Sequence, residues 1–273
     1  MVIVRGGGDI ATGTIYKLYR CGYAVLILET DKPTAIRRKV AFCEAVYDGT
    51  STVEGVTCRR IQTAEQLFQT WNDHEIPLMV DETGKMIEKL HPHVVIDAIL
   101  AKKNLGTNRN MAPLTVALGP GFCAGTDVDY VVETMRGHRL GRILTEGFAI
   151  PNTGIPGIIG GYGAERVIHA PAAGEIRVSA QIGDLVEQGQ VLAMIGDVEV
   201  TASLTGVLRG MIRDGFSVTK GLKIADIDPR KEQKKNCDTI SDKARCIAGS
   251  VLEILVSNHV PREGDLGMAT CFR

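Results

Sequence analysis

Aromatic residues are scarce in this chain, and neither sign of charge is in excess. Phe, Trp and Tyr make up 5% of the 273 residues, too few for the stacking platforms on which single-stranded nucleic acids bind. The 31 basic and 32 acidic side chains leave a formal net charge of −1, so no overall field attracts a nucleic acid or a membrane surface. We therefore expect neither as a partner.

Long apolar runs and paired cysteine motifs are also missing. No segment approaches the roughly 20 apolar residues of a membrane-spanning helix. The apolar start stops at Arg5, so we do not expect it to be a signal peptide. The seven cysteines are scattered without a C-x-x-C pair, which is typical of reduced thiols and argues against a disulfide or zinc framework. This pattern predicts a cytoplasmic protein.

The first hundred residues alternate between short apolar runs and segments with helical periodicity. Residues 1–5 and 24–28 resemble buried parallel strands, and residues 10–21 resemble a helix. Further along, the sequence predicts a helix in PTAIRRKVAF, a short strand and turn in EAVYDG, an amphipathic helix in TAEQLFQTWNDH with Leu67, Phe68 and Trp71 inward, and strands in IPLMVD and HVVIDAIL. This alternation predicts a Rossmann-like, doubly wound parallel sheet over residues 1–100.

A glycine motif lies between the first predicted strand and helix. Gly6, Gly8 and Ala11 fit the pattern G-x-G-x-x-G/A, in which a tight turn brings backbone amides and a helix N-terminus close to a phosphate. Glu29 ends the second strand roughly 20 residues further on, where an acidic residue binds ribose hydroxyls in dinucleotide-binding proteins. We therefore predict a nucleotide-binding turn. The competing interpretation is a unit of this kind that binds no ligand.

Two carboxylates near this motif have alternative interpretations. Asp9 suits the positive end of the helix dipole, yet it competes with a phosphate for the same amides. Arg5 and the two arginines Arg37 and Arg38 could offset its charge. Because Arg37 and Arg38 follow the strand that ends at Glu29, they could also bind a 2′-phosphate, so the choice between NAD and NADP stays open. Asp97 interrupts the last apolar run, either as a buried polar group or as a site residue, since ligands bind beyond the carboxyl ends of parallel strands.

The segment 101–166 is rich in glycine and carries several ionisable side chains. Cys123, Asp127 and His138 are its candidate catalytic residues, although no recognised metal-ligand spacing connects them. We predict that the loops at 119–127 and 136–139 fold over the glycine turn and that His138 faces the resulting cleft. The alternative is that these loops only connect the flanking folds and stay solvated.

Residues 167–228 contain an internal repeat. Each half carries the pattern G-x-x-V-x-x-G, at Gly183, Val186 and Gly189 and again at Gly215, Val218 and Gly221. The module resembles biotinyl and lipoyl carrier domains, which have the barrel-sandwich-hybrid fold. Those carriers are modified on a lysine in the hairpin that joins the halves, whereas this hairpin, MIGDVEV, has none. We expect an unmodified scaffolding or docking module, followed at 229–273 by a charged linker and a helix with Ser241 as its N-cap.

Taken together, the motifs RGGGDIATG, LGPGFCAGTDVDYVVETMRGHRLGR and PNTGIPG and the lysine-less module resemble the selenium-dependent molybdenum hydroxylase accessory family, related to the xanthine dehydrogenase accessory proteins. The resemblance implies a maturation factor that binds a nucleotide-containing cofactor, with NAD(P) or a molybdopterin nucleotide as candidates, and docks on a molybdenum hydroxylase. The alternative is an NAD(P)-dependent oxidoreductase acting on a small molecule. Whether chemistry is catalysed and whether the chain forms a homo-oligomer stay open.

Overall fold

The computed structural model describes residues 1–154 and 157–262, and these fall into two units. Unit 1 comprises Met1–Pro33, Ala41–Asn152 and the described residues from Ile240 onward. Unit 2 comprises Thr34–Val40 and Thr153–Thr239. Part of the motif PNTGIPG, Ile155 and Pro156, lies outside the described residues, as do residues 263–273 of the predicted C-terminal segment. Within the described residues, no helix is long and apolar enough to cross a membrane.

Unit 1 is built on a mixed sheet of nine strands. Its eleven strands in chain order are β1 Val2–Arg5, β2 Val25–Glu29, β3 Thr50–Val53, β4 Val56–Ile61, β5 Ile76–Val80, β6 Val94–Asp97, β7 Leu114–Leu118, β8 Cys123–Ala124, β9 Tyr130–Val132, β10 Ile143–Leu144 and β11 Gly147–Phe148. The nine-stranded sheet has the order β10-β9-β7-β6-β1-β2-β5-β4-β3, and β8 pairs with β11 separately. The seven central strands are parallel, and the edge strands β3 and β10 are antiparallel to their neighbours.

Five helices accompany this sheet. They are α1 Asp9–Arg20, α2 Ala45–Asp48, α3 Gln66–Asn72, α4 Lys85–Leu90 and α5 Asp242–Ser257, with short 3₁₀ turns at Phe42–Glu44 and Arg109–Met111. The last helix packs closely on the first, because a Cβ placed on Gly13 would lie only 2.7 Å from the Cβ of Ala244. The predicted N-cap of α5 is confirmed: the Ser241 hydroxyl accepts a hydrogen bond from the Ala244 amide at 3.2 Å.

Unit 2 consists of two antiparallel sheets of four strands. Its strands are β12 Val167–His169, β13 Gly174–Val178, β14 Leu185–Val186, β15 Val191–Ile195, β16 Val198–Thr201, β17 Gly206–Met211, β18 Ser217–Val218 and β19 Lys223–Asp228, with 3₁₀ turns at Arg38–Val40, Ala164–Arg166 and Lys231–Asn236. The sheet orders are β12-β19-β17-β14 and β16-β15-β13-β18. Alternate residues of these strands form one apolar core, which includes Ile176, Leu192, Val207 and Ile224.

The predicted fold class, a Rossmann-like parallel sheet with a small barrel-sandwich-hybrid module, is wrong. The unit 1 sheet is mixed and continues past residue 100 through β7, β9 and β10. Residues 34–40, distant in sequence, join the β-sheet unit, where the Met211 amide donates to the Ile36 carbonyl at 2.8 Å. The added edge strands are two to four residues long, too short to produce a recognisable apolar period.

Several local predictions also differ from the structure. The helix predicted in PTAIRRKVAF is absent, and the strand predicted in EAVYDG is the short helix α2. In the first of these segments, residues 34–40 belong to unit 2, whereas Pro33, Ala41 and Phe42 belong to unit 1. In α3, Leu67 and Trp71 are buried as predicted, but Phe68 is 59% exposed. Trp71 donates its indole N–H to the Val25 carbonyl, and this bond fixes which side of the helix faces inward.

Candidate functional site at the carboxyl edge of the sheet

Three neighbouring parallel strands end at the same edge of the unit 1 sheet. In the register of the sheet, Arg5 stands opposite Leu28 on one side and opposite Asp97 on the other. The glycine turn that follows β1 therefore lies beside Glu29, the last residue of β2, and Asp97, the last residue of β6. The structure thus brings these predicted cofactor-binding residues together, at the edge where open parallel sheets bind ligands.

The three glycines of the turn differ in what surrounds them. Gly6 has a φ of +97°, and a Cβ there would lie 2.9 Å from the Ala98 carbonyl oxygen. A Cβ on Gly7 would lie 3.0 Å from the Cys43 amide nitrogen. At Gly8, φ is −66° and no atom lies within 4 Å of the Cβ position. The packing of the chain explains the first two glycines, whereas Gly8 borders open space.

Ala11 occupies the position where the motif requires a small residue. It lies in the first turn of α1 and is fully buried. Asp9 is the first residue of the helix, so its carboxylate is close to the positive end of the helix dipole.

The Glu29 carboxylate binds the glycine turn itself. Its Oε2 accepts from the Gly7 amide at 2.7 Å, and its Oε1 accepts from the Thr30 amide at 2.8 Å. Burial raises the pKa of Glu29 above its usual value, although both hydrogen bonds oppose that rise. Each carboxylate oxygen of Glu29 therefore accepts one hydrogen bond from a backbone amide, which fixes the glycine turn beside the end of β2.

Beneath this edge, Thr107 connects two buried charges. The Arg5 guanidinium Nη1 donates to the Thr107 hydroxyl at 2.5 Å, and that hydroxyl donates to Asp97 Oδ2 at 2.6 Å. Asp97 Oδ1 accepts from the Ile99 amide at 3.2 Å. Burial raises the pKa of Asp97, while these hydrogen bonds and the Arg5 charge act in the opposite direction. Sequence reasoning missed Thr107, because 102 residues separate it from Arg5 and no motif includes it.

A second segment, residues 42–44, packs against the turn. The Gly7 carbonyl accepts from the Cys43 amide at 2.9 Å and from the Thr12 hydroxyl at 3.1 Å. The Cys43 side chain is buried, and burial together with the nearby carboxylates of Glu29, Glu44 and Asp9 raises its thiol pKa well above the usual value. Burial and these carboxylates therefore favour the protonated thiol of Cys43 over the thiolate, which is the nucleophilic form.

The structure does not bring Asp127 and Cys123 to the glycine turn. Asp127 Oδ2 accepts from the Cys123 amide at 2.7 Å, which closes a local turn. Within that turn, the Gly125 carbonyl oxygen accepts from the Arg109 guanidinium. Arg109 begins the 3₁₀ turn that precedes β7. Two residues after the turn, the Asp129 carboxylate accepts from the Thr115 amide at the amino end of β7. This turn therefore extends toward the edge of the sheet opposite to Gly8.

His138 is exposed on the loop between β9 and β10. Arg136 in the same loop donates two hydrogen bonds of 2.8 Å to Asp242, at the start of α5. The Cys246 thiol of that helix contacts the Leu140 carbonyl oxygen at 3.6 Å. Strand β9 stands three strands from β1, which is about 14 Å at the usual strand spacing. The structure thus anchors this loop on α5.

Comparison with known proteins gives one curated relative. No family model matches the chain. The chain is 50% identical over 256 residues to a protein of Escherichia coli K12 called uncharacterized protein YqeB. This match includes 94% of the chain but only 47% of the relative, so the chain spans about half the length of the curated relative it matches.

Solved structures give only distant neighbours. The apo ectoine utilization protein EutE (DoeB) of Ruegeria pomeroyi is 10% identical, with 83% of this chain and 85% of that chain covered and a TM-score of 0.26. An aspartoacylase family protein of Mesorhizobium loti is 12% identical, with 84% and 85% covered and a TM-score of 0.29. A succinylglutamate desuccinylase/aspartoacylase of Rhodobacter sphaeroides is 14% identical, with 83% and 84% covered and a TM-score of 0.27.

These findings contradict the family resemblance drawn from the sequence. The structural neighbours are named as an ectoine utilization protein, an aspartoacylase family protein and a succinylglutamate desuccinylase/aspartoacylase, the curated relative is uncharacterized, and none of these is named as a molybdenum hydroxylase accessory protein. The predicted roles as a selenium-dependent maturation factor and, alternatively, as an NAD(P)-dependent oxidoreductase are corrected accordingly, and so is the molybdenum hydroxylase partner. Short glycine motifs specify the conformation of turns, and conformation alone does not identify a function.

Proposed function

We propose that unit 1 binds a small molecule through an anionic group, a phosphate or a carboxylate, at the turn formed by Gly6, Gly7 and Gly8. The observation that carries this proposal is the open space at Gly8. Its φ of −66° is accessible to any residue, and no atom of the chain lies within 4 Å of its Cβ position. Neither conformation nor internal packing therefore requires glycine there, whereas close approach of a ligand to the backbone does.

The N-terminus of α1 supports the anionic character of the ligand. Gly8 is the N-cap residue and has no side chain to accept from the first-turn amides. In α5, by contrast, the Ser241 hydroxyl fills that role. A ligand oxygen at Gly8 would act as the missing cap, and the partial positive charge of the helix end would favour a negative group.

The surrounding charges shape this site further. Arg5 is a buried cation below the turn, bonded to Thr107 and to the Glu82 carbonyl. The guanidinium groups of Arg37 and Arg38 donate to carbonyl oxygens of unit 2, those of Thr239 and Met211, so these two arginines are engaged within that unit. Asp9 directly follows Gly8 in the sequence, and its carboxylate carries the same sign of charge as the proposed ligand. We therefore expect Asp9 to weaken anion binding.

Amide chemical shifts measured during a titration with inorganic phosphate test the proposal. We expect saturable shifts at the Gly8, Asp9 and Ile10 amides. Gly8→Val should abolish them, because the branched side chain fills the open space. Gly8→Ser should also reduce them while stabilising the fold by a few tenths of a kcal/mol, because its hydroxyl caps α1.

Gly249→Ala is the matched control for the Gly8 variants. Gly249 lies inside α5 with no atom within 4 Å of its Cβ position. This variant should keep the phosphate-dependent shifts. If phosphate and acetate both leave the Gly8 to Ile10 amides unshifted at high millimolar concentration, the proposed site does not exist.

The remaining expectations from the sequence stay predictions. Catalytic roles for His138, Asp127 and Cys123 stay predictions. Comparing anion binding by the wild type and by a His138→Asn variant tests whether His138 contributes to the proposed site. A cytoplasmic location is a further proposal, supported by the absence of disulfides among the six cysteines that the structure describes. Cell fractionation tests it. The neighbours' acylase activities are not assigned to this chain, because TM-scores of 0.26 to 0.29 support no such transfer.

A further inference from the structure

Several hydrogen bonds hold the glycine turn, and one of them has an ionisable acceptor. The Gly7 carbonyl accepts from the Cys43 amide at 2.9 Å and from the Thr12 hydroxyl at 3.1 Å. Neither of these bonds depends on a group that titrates. The Gly7 amide, by contrast, donates to the Glu29 carboxylate at 2.7 Å. One side of the Gly7 residue is therefore held by an ionisable side chain, and the other side is held by groups that do not change with pH.

The Glu29 carboxylate holds two backbone amides at once, which only its ionised form does well. Oε2 accepts from Gly7, and Oε1 accepts from the Thr30 amide at 2.8 Å. In an ionised carboxylate both oxygens are acceptors, whereas protonation turns one of them into a donor. The neutral group therefore has a good acceptor for one amide only. Thr30 directly follows Glu29 in the chain and stays within its reach, whereas Gly7 belongs to another segment, so we expect the bond to Gly7 to weaken.

The surroundings of Glu29 bring its titration closer to neutral pH. Its side chain is partly buried at the end of β2, and burial raises its pKa above the usual value of 4.5, although the two amide bonds oppose that rise. The ionisable side chains on the elements that pack against this strand end or follow it are Arg5 of β1, Asp9 of α1, Cys43 and Glu44 of the segment 42–44, Asp81 after β5, and the exposed Asp31 and Lys32. The Arg5 guanidinium, on the neighbouring strand, donates to the Thr107 hydroxyl and the Glu82 carbonyl.

Protonation of Glu29 does not by itself favour unfolding. Because its pKa is raised in the folded chain, its contribution to stability is fully present below pH 4.5 and declines as pH rises through the native-state pKa. A change in the turn on acidification is therefore a local event within the folded chain, which distinguishes it from acid unfolding.

We propose that Glu29 is a pH-sensitive switch of the glycine turn: its carboxylate holds the Gly7 amide, and its neutral carboxyl releases that amide while the bonds to the Gly7 carbonyl persist. The structure, in which both carboxylate oxygens accept from amides, corresponds to the ionised state. The switch requires no bound ligand, so it does not rest on anion binding at Gly8.

Amide chemical shifts and hydrogen exchange of the wild-type chain, followed from neutral to acidic pH, test this switch. We expect the Gly7 and Thr30 amides to titrate with one shared midpoint above pH 4.5. Across that midpoint the exchange protection of Gly7 should fall about tenfold, because a charged acceptor bonds about twice as strongly as a neutral one. The Cys43 amide should keep its protection. The Val2 amide, which donates to the Ala24 carbonyl at the other end of β1, is the internal control and should not titrate.

Two variants assign the transition to one carboxylate. Glu29→Gln should abolish it and should show the low Gly7 protection of the acidic wild type at every pH, because its amide group has a single acceptor oxygen. Asp9→Asn is the matched control and should keep the transition. If the transition persists in Glu29→Gln, another group controls the turn and the proposal is wrong. It is equally wrong if the wild-type Gly7 and Thr30 amides share no midpoint or if Gly7 stays fully protected below it, and this result holds even where a variant fails to fold.

Discussion

Thr107→Val should destabilise unit 1 strongly, because the Thr107 hydroxyl forms hydrogen bonds to two buried charged side chains. It accepts from Arg5 and donates to Asp97, and these side chains are only 4% and 3% exposed. Hydrogen bonds to charged groups contribute about 1.5–3 kcal/mol each, and removing a shared partner leaves both charges partly unsatisfied. Arg5 keeps its bond to Glu82 and Asp97 keeps its bond to Ile99, so we expect a loss of about 3 kcal/mol.

Urea unfolding of the wild type, Thr107→Val and Thr107→Ser measures this loss. The serine variant keeps the hydroxyl and should lose about 1 kcal/mol for its missing methyl group. Thr52→Val is the control: Thr52 also shares a hydroxyl hydrogen bond, with Thr57, but Thr52 is exposed and Thr57 is only partly buried, and we expect a change within about 0.5 kcal/mol. If Thr107→Val loses no more than Thr107→Ser, the charge-bridging role of the hydroxyl is refuted.

The pH dependence of the same variant provides a second readout. Burial raises the pKa of Asp97 above its usual value of 3.8, so Asp97 holds its proton more tightly in the folded chain than in the unfolded chain. The contribution of Asp97 to stability is therefore fully present below pH 3.8 and declines as pH rises through the native-state pKa. Because the bond from Thr107 lowers that pKa, Thr107→Val should deepen the decline. A variant whose stability loss is the same at low and neutral pH would contradict this reasoning.

Three further predictions concern the glycine turn and the cysteines of unit 1. Gly6→Ala should lose about 1–3 kcal/mol in urea unfolding, because φ is +97° and its Cβ would approach the Ala98 carbonyl oxygen at 2.9 Å; wild-type stability would contradict the packing described. Asp9→Asn should raise phosphate affinity about threefold in calorimetry, since one charge at about 7 Å in water contributes about 0.6 kcal/mol, and weaker binding would refute the repulsion. Iodoacetamide should label exposed Cys246 in the native protein but not buried Cys43, as measured by peptide mass spectrometry. Labelling of Cys43 with Cys246 unmodified would contradict the burial described.

Sequence reasoning located the glycine turn, Glu29 and Asp97 because they depend on local patterns. An apolar run followed by glycines and a helical period specifies strand, turn and helix within about 30 residues. Parallel pairing then brings the ends of β1, β2 and β6 to one edge without further information.

The parts that sequence reasoning missed depend on contacts between distant segments. Thr107 joins the site through a contact with Arg5, and Cys43 joins it through a backbone bond to Gly7; neither belongs to a periodic pattern. The expected position of His138 over the turn stays a prediction, which assumes that a polar, glycine-rich loop folds toward the nearest cleft. In the structure, Arg136 pairs with Asp242 and anchors that loop on α5, a partner more than 100 residues away in the chain.

A crystal structure of the chain soaked with pyrophosphate is the most direct test of anion binding at the glycine turn. We predict a bound anion with one oxygen about 3 Å from the Gly8 or Asp9 amide nitrogen, the usual hydrogen-bond distance. An anion bound elsewhere, with the space at Gly8 occupied only by solvent, would contradict the account.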